Sequence, residues 1–354
     1  MLTKEQLFLS ACIDEAWSFQ GLTLPNPAVG AMIIDKNFNI LSIKAHQKAG
    51  DAHAEVLALL EAYEALTQQK TNLTDPAQIH EFLSTHHNGL FYDKTIFVTL
   101  EPCNHYGKTP PCAKLLSTLK PKQVVIGAQD IWGQSAGGSA RLKEAKISTL
   151  FLDSKADIKR ATDLLYPFMC LKNSHHFNLF KLAMRINGDY KSGIISCEAS
   201  RIFTHNQRTI ATSLIISGNT IRHDSPTLDC RFATYAKHNP NIQILTKDSS
   251  LQNLNALRNA PLFAIPNREV LIAHSPNDLI LDSGYNIIEG GFGLFASLSH
   301  HIDALLIHIS PTLAHTQILH SALESIHSCK LEFEILHTTQ CDKDTLLWLK
   351  PIRS

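Results

Sequence analysis

The hydrophobic pattern of the first 150 residues switches between the period of a helix and that of a strand. Thr3 and Gln6 have the spacing of a capping box, and apolar residues at helical spacing predict a helix from there to about Gln20. Shorter apolar runs between turn-forming residues predict strands. The predicted strands are 28–34, 40–45, 95–100, 124–127 and 147–152, and the further predicted helices are 53–65, 112–119 and 139–146. Strands that alternate with helices indicate a three-layer α/β domain ending near residue 150.

Residues 67–93 interrupt this alternation. Thr, Gln, Asn and His dominate the stretch, and Pro76 breaks it. A long connection of this composition, without a sustained hydrophobic period, is typical of an insertion outside the core. We therefore expect a surface insertion with one short helix near residues 77–83.

The alternation resumes in the second half of the chain with a different sequence. A helical stretch at 155–173 connects the halves, and apolar runs from about Phe177 onward predict a second α/β domain. Its predicted strands are 179–184, 214–217, 242–245, 270–273 and 304–309. We therefore predict one domain over residues 1–150, a connecting helix over 151–175 and a second domain over 176–354.

Composition and charge narrow the class of protein. The chain has 354 residues, 44% hydrophobic and 18% charged, which is globular and long enough for two cores. Lys and Arg together number 32, as do Asp and Glu, so no basic footprint for nucleic acid is visible. The start is too polar for a secretory signal, and no apolar run approaches a membrane span. We expect a cytoplasmic protein with a small-molecule substrate and no nucleic-acid or membrane partner, and a homo-oligomer stays open.

Three residues far apart in the sequence have the types and context of a zinc site. His53 and Glu55 form a His-x-Glu motif, a Pro-Cys pair ends at Cys103, and Cys112 follows. A catalytic zinc takes three protein ligands and leaves a fourth position for water. His53, Cys103 and Cys112 supply the three ligands. Glu55 is then placed to take a proton from the water and pass it to departing ammonia. This order of residues is the signature of zinc-dependent nucleobase deaminases.

Other interpretations of these residues stay open. A structural zinc site in a non-enzymatic protein usually has a fourth Cys or His and cysteines two to four residues apart. Here residues 104–111 separate the two cysteines, and His105 is the nearest residue that could pass for a fourth ligand. The other six of the eight cysteines lack such a context, and we expect incidental or buried thiols. An enzyme that edits nucleic-acid bases is disfavoured by the balanced charge.

Three runs of sequence resemble the bifunctional riboflavin biosynthesis deaminase/reductase family. They begin at Pro25, Ala49 and Thr99 and read PNPAVG, AGDAHAE and TLEPCNHYGKTPPC. The last run is the discriminating one, because its longer cysteine loop separates this branch from cytidine, guanine and transfer-RNA adenosine deaminases. The resemblance implies a three-layer cytidine-deaminase-like domain followed by a dihydrofolate-reductase-like α/β domain.

The resemblance also implies two reactions. The first is zinc-dependent deamination of 2,5-diamino-6-(5-phosphoribosylamino)pyrimidin-4-one, and the second is NADPH-dependent reduction of the ribosyl side chain to ribityl. Zn²⁺ and NADPH are therefore the expected cofactors. In the first domain the resemblance places Asn26 at the pyrimidine edge and His46, His105 and Lys108 at the ribose phosphate. Leu24 departs from the histidine that is usual in the family.

Runs from Phe180, Gly218 and Glu289 carry the resemblance in the second domain, and they read FKLAM, GNTIRHDSPTLDCR and EGGFG. Glycines before a helix let a phosphate approach the backbone. The cofactor-binding residues implied by the resemblance are Ala183, Thr220, Asp224, Gly290, Gly291 and Gly293. The substrate-binding residues implied are Ser200, Arg208, Leu228, Arg231 and Glu289. The two arginines suit a phosphate, and a surface ion pair is the alternative for each.

Departures in this half leave a second function open. The family's Ser-Leu-Asp-Gly is RING at 185–188, its Trp-Ile-Thr is IFT at 202–204, and the segment 204–220 is about two helical turns short. The lost tryptophan removes a flat wall beside the nicotinamide. The alternative is a deaminase whose C-terminal domain is degenerate and structural.

Overall fold

The computed structural model describes residues 3–107, 109–132, 136–191, 193–234, 238–247, 260–314 and 331–353. The chain divides into two compact units, Met1–Tyr166 and Pro167–Ser354. The division falls inside the helix Lys155–Ser174, which the sequence predicted as 155–173. The domain limits at 150 and 176 stay a prediction.

The first unit is built on a five-stranded sheet. Its elements are α1 (Lys4–Trp17), β1 (Gly30–Ile34), β2 (Ile40–Ala45), α2 (Ala54–Thr67), α3 (Pro76–His86), β3 (Thr95–Leu100), α4 (Cys112–Leu119), β4 (Gln123–Ala128), α5 (Gly138–Glu144), β5 (Ser148–Phe151) and α6 (Lys155–Ser174), which runs across the division. The strand order is β2-β1-β3-β4-β5, with β1 antiparallel to both neighbours and β3, β4 and β5 parallel. Every helix and strand predicted for this half is present.

The start of the chain folds as its sequence predicts. The Thr3 side chain accepts the Gln6 backbone N–H while the Gln6 side chain accepts the Thr3 N–H, so the capping box is confirmed. Helix α1 ends at Trp17, three residues before the predicted Gln20. It packs closely on β1, because a Cβ at Gly30 would lie 2.0 Å from the Cys12 carbonyl oxygen. Only glycine permits that approach.

The expectation that residues 67–93 lie on the surface is wrong in part. Helix α3 covers the predicted short helix, and it begins after Asp75, whose side chain accepts the Gln78 N–H. Ile79, Leu83 and Phe91 are almost completely buried and join the same core as α2 and α4. The polar composition hid this, since a few apolar residues at helical spacing suffice to bury one face.

The second unit is built on an eight-stranded, mostly parallel sheet. Its elements are β6 (His176–Arg185), α7 (Glu198–Ile210), β7 (Ser213–Ser217), α8 (Gly218–Asp224), β8 (Asn241–Leu245), β9 (Val270–Ala273), β10 (Gly284–Glu289), α9 (Phe292–Leu298), β11 (Ala304–Ser310), β12 (Phe333–Cys341) and β13 (Asp344–Pro351), with short 3₁₀ helices at Pro261–Ala264, Pro276–Asp278 and Ser299–His301. The order is β12-β13-β11-β6-β10-β7-β8-β9. The pairs β12-β13 and β13-β11 are antiparallel, and the other pairs are parallel. Throughout the described ranges, no helix has the length and apolar character to cross a lipid bilayer.

The five strands predicted for this half are present, but β10, β12 and β13 were not among them. β10 carries Asn286 in its buried centre, where the amide is paired with Asn178 and Ser213. Such a residue interrupts the apolar run by which a buried strand is usually found. β12 lies at the edge of the sheet, and polar residues occupy many of its positions. The hydrophobic pattern of β12 is therefore too weak to predict a strand.

Candidate functional site

The predicted zinc ligands come together in the first unit. The ligand atoms of His53, Cys103 and Cys112 lie within 4.8 Å of one another. His53 Nδ1 is 3.5 Å from the Cys103 sulfur and 3.3 Å from the Cys112 sulfur. With Nδ1 turned toward the two sulfurs, Nε2 lies 3.2 Å from the Thr109 hydroxyl. A second hydrogen bond of this kind fixes which nitrogen of a histidine is free for a metal.

The secondary structure explains why these three side chains meet. His53 is the N-cap of α2, Cys112 is the first residue of α4, and Cys103 follows β3. The Cys112 N–H donates to the Cys103 sulfur at 3.4 Å, and the Ala113 N–H donates to the Cys103 carbonyl at 3.1 Å. The first N–H of α4 therefore donates to the sulfur of Cys103, which favours the thiolate.

The two thiols differ in acidity. The hydrogen bond from Cys112, followed by that from His53, lowers the pKa of Cys103 to about 4. The pKa of Cys112 is raised well above its ordinary value, because its proton is shared with Cys103 and the group is buried. Metal binding requires both sulfurs as thiolates and would therefore displace the protons that they hold.

Glu55 lies beside the cluster without belonging to it. It is in the first turn of α2, only 4% exposed, and it is absent from the three-residue ligand group. Burial raises the pKa of the Glu55 carboxyl, and the electrostatic attraction of His53 offsets this rise only in part. A carboxyl with a raised pKa can accept and return a proton near neutral pH.

The cluster offers three ligands. Among the residues that the structure describes, no fourth His, Cys, Asp or Glu joins it. A structural zinc site usually has four. His105, the nearest in sequence, is not a member. Its Nδ1 is buried and has no hydrogen-bond partner among the described residues. The donor set therefore fits a catalytic zinc with an open position.

Two predicted substrate residues border the metal cluster. The His46 ring lies 5.4 Å from the His53 ring, and its Nε2 is 3.3 Å from the Asn26 amide nitrogen. Its Nδ1 is 3.1 Å from the Ala52 carbonyl oxygen. Burial, and then the nearby His53, lower the pKa of His46 to about 4, so the ring is neutral at pH 7. His46 thus fixes the orientation of Asn26. Lys108 lies outside the described residues.

Two residues that support the cysteine loop were missed by sequence reasoning. The buried Glu101 carboxylate accepts the backbone N–H groups of Asp130 at 3.1 Å and Ser139 at 2.8 Å. A Cβ at Gly138 would lie 1.8 Å from the Pro102 carbonyl oxygen. Glu101 directly precedes the Pro-Cys pair, so its position was the available signal.

The predicted cofactor residues of the second unit gather at one edge of its sheet. β6, β10 and β7 are parallel neighbours, so their carboxyl ends share that edge. Ala183 is near the end of β6, Thr220 is in the first turn after β7, and Gly290 and Gly291 follow β10. Ligands of open α/β sheets bind outside this edge.

The glycines after β10 are explained by packing inside the chain. A Cβ at Gly290 would lie 2.7 Å from Leu294 Cδ2, and a Cβ at Gly291 would lie 2.5 Å from Tyr190 Cε2. A Cβ at Gly293 would meet nothing within 4 Å. The first two glycines therefore permit close side-chain contacts, whether or not a phosphate approaches them.

Arg208 forms a buried ion pair with Glu289. The guanidinium makes a two-point contact with the carboxylate, at 2.9 and 2.6 Å, and also donates to the Asp229 carbonyl at 3.1 Å. The side chains are 11% and 16% exposed. Burial alone would raise the pKa of Glu289, but Arg208, and then Lys181, lower it to about 2. The sequence left a surface ion pair as the alternative to phosphate binding by Arg208, and the structure shows an ion pair that is buried.

The remaining predicted residues of this unit differ in their exposure to solvent. Ser200 in α7 and Leu228 after α8 are buried, whereas Asp224 at the end of α8 is exposed. Arg231 is 55% exposed at its side chain and pairs with Asp229 at 2.9 Å. Of the two arginines predicted to bind phosphate, Arg231 is therefore the accessible one.

The family model for the cytidine and deoxycytidylate deaminase zinc-binding region matches residues 2–128. A riboflavin biosynthesis protein RibD from Mycobacterium tuberculosis is 30% identical over 234 residues, which are 64% of this chain and 60% of that protein. RibD from Corynebacterium ammoniagenes is 28% identical over 333 residues, 86% of this chain and 85% of that protein. The matches at 30% identity thus span about three fifths of these relatives' length.

Solved structures show the same fold over nearly the whole chain. A diaminohydroxyphosphoribosylaminopyrimidine deaminase/5-amino-6-(5-phosphoribosylamino)uracil reductase from Thermotoga maritima has a TM-score of 0.63 at 22% identity and covers 98% of this chain and 99% of its own. RibD from Acinetobacter baumannii has a TM-score of 0.58 at 23% identity, with 98% and 99% covered. The predicted fold class, two successive α/β domains of different type, is confirmed.

Proposed function

We propose that this chain, a relative of the bifunctional riboflavin biosynthesis proteins, deaminates 2,5-diamino-6-(5-phosphoribosylamino)pyrimidin-4-one and then reduces the product with NADPH. The observation that carries the proposal is the three-ligand cluster of His53, Cys103 and Cys112 with the buried Glu55 beside it. The sequence relatives support the same pathway.

Zinc held by His53 Nδ1 and the two sulfurs would lower the pKa of a water molecule toward ~7 and so supply a nucleophile. Glu55 would accept a proton from the attacking water and return it to the amine, which leaves as ammonia. The raised pKa of Glu55 suits both transfers, because a group that must take and give a proton works best when its pKa lies near the operating pH.

Substrate recognition in the first unit is assigned to residues around the cluster. Asn26, held by the neutral His46, would hydrogen-bond the pyrimidine edge. The buried Nδ1 of His105, which has no described partner, supports a role in contact with a ligand. Lys108 would add a positive charge for the phosphate.

Reduction is assigned to the carboxyl edge of the second sheet. Ala183, Thr220 and Gly291 would contact NADPH there, and Arg231 would meet the substrate phosphate. The buried pair of Arg208 and Glu289 would line the substrate side. The support is the resemblance of the chain, together with the convergence of β6, β7 and β10 at this edge.

The partner of the proposed enzyme is a phosphorylated small molecule. We propose the cytoplasm as its compartment, because the two thiol ligands need reducing conditions to stay free of disulfides.

One two-step assay tests the proposal. Ammonia release from the diaminopyrimidine measures deamination, and NADPH oxidation on the deaminated product measures reduction. Glu55→Gln should retain zinc while ammonia release falls by about 10²–10⁴-fold. Glu61→Gln, at a half-exposed position of the same helix, is the matched control. Undiminished deamination in Glu55→Gln would refute the mechanism, and deamination without NADPH oxidation would leave only the deaminase.

A further inference from the structure

Helix α3 lies against the helix that carries a zinc ligand. Ile79 and Leu83 of α3 share a buried core with Leu115 and Leu116 of α4. α3 belongs to the polar segment 67–93, which the sequence placed on the surface. The packing connects this segment to the metal site through the start of α4.

His80 of α3 makes a polar contact with the start of α4. The residue is 7% exposed, and its Nε2 lies 3.3 Å from the Pro111 carbonyl oxygen. A carbonyl only accepts, so Nε2 carries the proton and the imidazole donates it. Burial lowers the pKa of His80, which agrees with a neutral ring.

Pro111 is the N-cap of α4 and directly precedes Cys112. Its carbonyl also accepts the N–H groups of Lys114 at 3.1 Å and Leu115 at 3.4 Å. The proline ring fixes φ, so ψ is the one soft backbone torsion left at this residue. A donor on the carbonyl oxygen restrains ψ, and ψ sets the direction in which Cys112 leaves the loop. As an N-cap, proline has no side-chain acceptor for the helix.

We propose that His80 is a positioning residue for the zinc site, holding Cys112 in place through the Pro111 carbonyl. The inference rests on the proposed zinc site and gives the inserted segment a role in it. Outer partners that orient metal ligands typically contribute about 10–100-fold to metal affinity or activity. His80 acts one residue away from the ligand itself.

Two substitutions of His80, which place a side-chain amide at different distances from the backbone, test the proposal. In His80→Gln the amide nitrogen can occupy the place of Nε2 and donate to Pro111. In His80→Asn the amide stops near the place of Nδ1 and cannot reach. His86→Asn, at an exposed histidine of the same helix, is the matched control. Zinc affinity is measured by competition with a chelator, and the sulfur-to-cobalt charge-transfer bands of the Co²⁺ protein report the ligand geometry.

We expect His80→Asn to bind zinc at least about 10-fold more weakly with altered cobalt bands, and His80→Gln to remain within about threefold of the wild type. Equal effects of Asn and Gln, or no effect of Asn in a folded protein, would overturn the role of His80. His80→Met, which keeps volume without a donor, replaces His80→Asn if the latter does not fold. A wild-type chain that binds no zinc would instead overturn the proposed function, and the same titration measures this.

Discussion

Replacing Arg208 with methionine should destabilise the second unit by several kcal/mol. The pKa of Glu289 is 4.5 in its ordinary state and about 2 in the folded chain, a difference that corresponds to about 3 kcal/mol. Removing one partner of a buried pair typically costs about 3–5 kcal/mol, because the other charge stays buried and unpaired. Both figures apply here, since the two side chains are only 11% and 16% exposed.

Urea denaturation followed by far-ultraviolet circular dichroism measures this loss, with the two units fitted as separate transitions. The matched control is Arg231→Met, which breaks the exposed pair with Asp229 and should cost at most about 1 kcal/mol. Glu289→Gln added to Arg208→Met should recover most of the loss. A cost for Arg208→Met no larger than that of Arg231→Met would refute the reasoning.

The same pair predicts a pH dependence. Because the folded pKa of Glu289 is depressed, its contribution is fully present above the unfolded value of 4.5 and is lost as the pH falls toward 2. The stability difference between wild type and Arg208→Met should therefore shrink as the pH falls from 4.5 toward 2. A difference that stays constant over this interval would contradict the assignment.

Three further predictions concern the metal, the core and the glycines. A chelator should abolish ammonia release and leave NADPH oxidation on the deaminated product unchanged, with zinc restoring the first activity; parallel loss of both would contradict separate sites. Leu83→Ala should lower the free energy of unfolding of the first unit by about 2–5 kcal/mol, whereas His86→Ala should change it little, as thermal denaturation would show. Gly138→Ala should lower the free energy of unfolding of the first unit by about 1–3 kcal/mol or more, because its Cβ would collide with the Pro102 carbonyl. Gly293→Ala, whose Cβ would meet nothing within 4 Å, should leave the stability of the second unit unchanged. Equal changes of melting temperature in the two variants would contradict this.

The zinc cluster could be predicted from sequence because its residues occupy fixed places in local structure. His53 caps α2, Cys112 opens α4, and the Cys103 sulfur accepts from the first turn of α4. Each of these places is marked by the change from a polar loop to an apolar run. The supporting residues carry no such mark, since Glu101 acts on backbone groups 29 and 38 residues away.

The burial of α3 and the pairing of Arg208 could not be predicted, for a related reason. Ile79 and Leu83 show only that one face of a short helix is apolar, and the partner of that face is set by the tertiary fold. Arg208 and Glu289 are 81 residues apart, on a helix and on a strand that the sequence pattern did not reveal. A guanidinium suits a phosphate and a carboxylate equally, so residue type alone does not choose between them.

The ion pair also bears on whether the second unit is degenerate. A buried charge pair is weak support for stability, since hydrophobic residues of similar volume in its place are often neutral or stabilising. A purely structural domain would thus not require a charged pair at this position. Arg208 and Glu289 are nevertheless buried, fully paired and placed beside Lys181 near the carboxyl edge of the sheet. Charges held at the edge where open α/β sheets bind ligands favour the proposed reductase site over a purely structural domain.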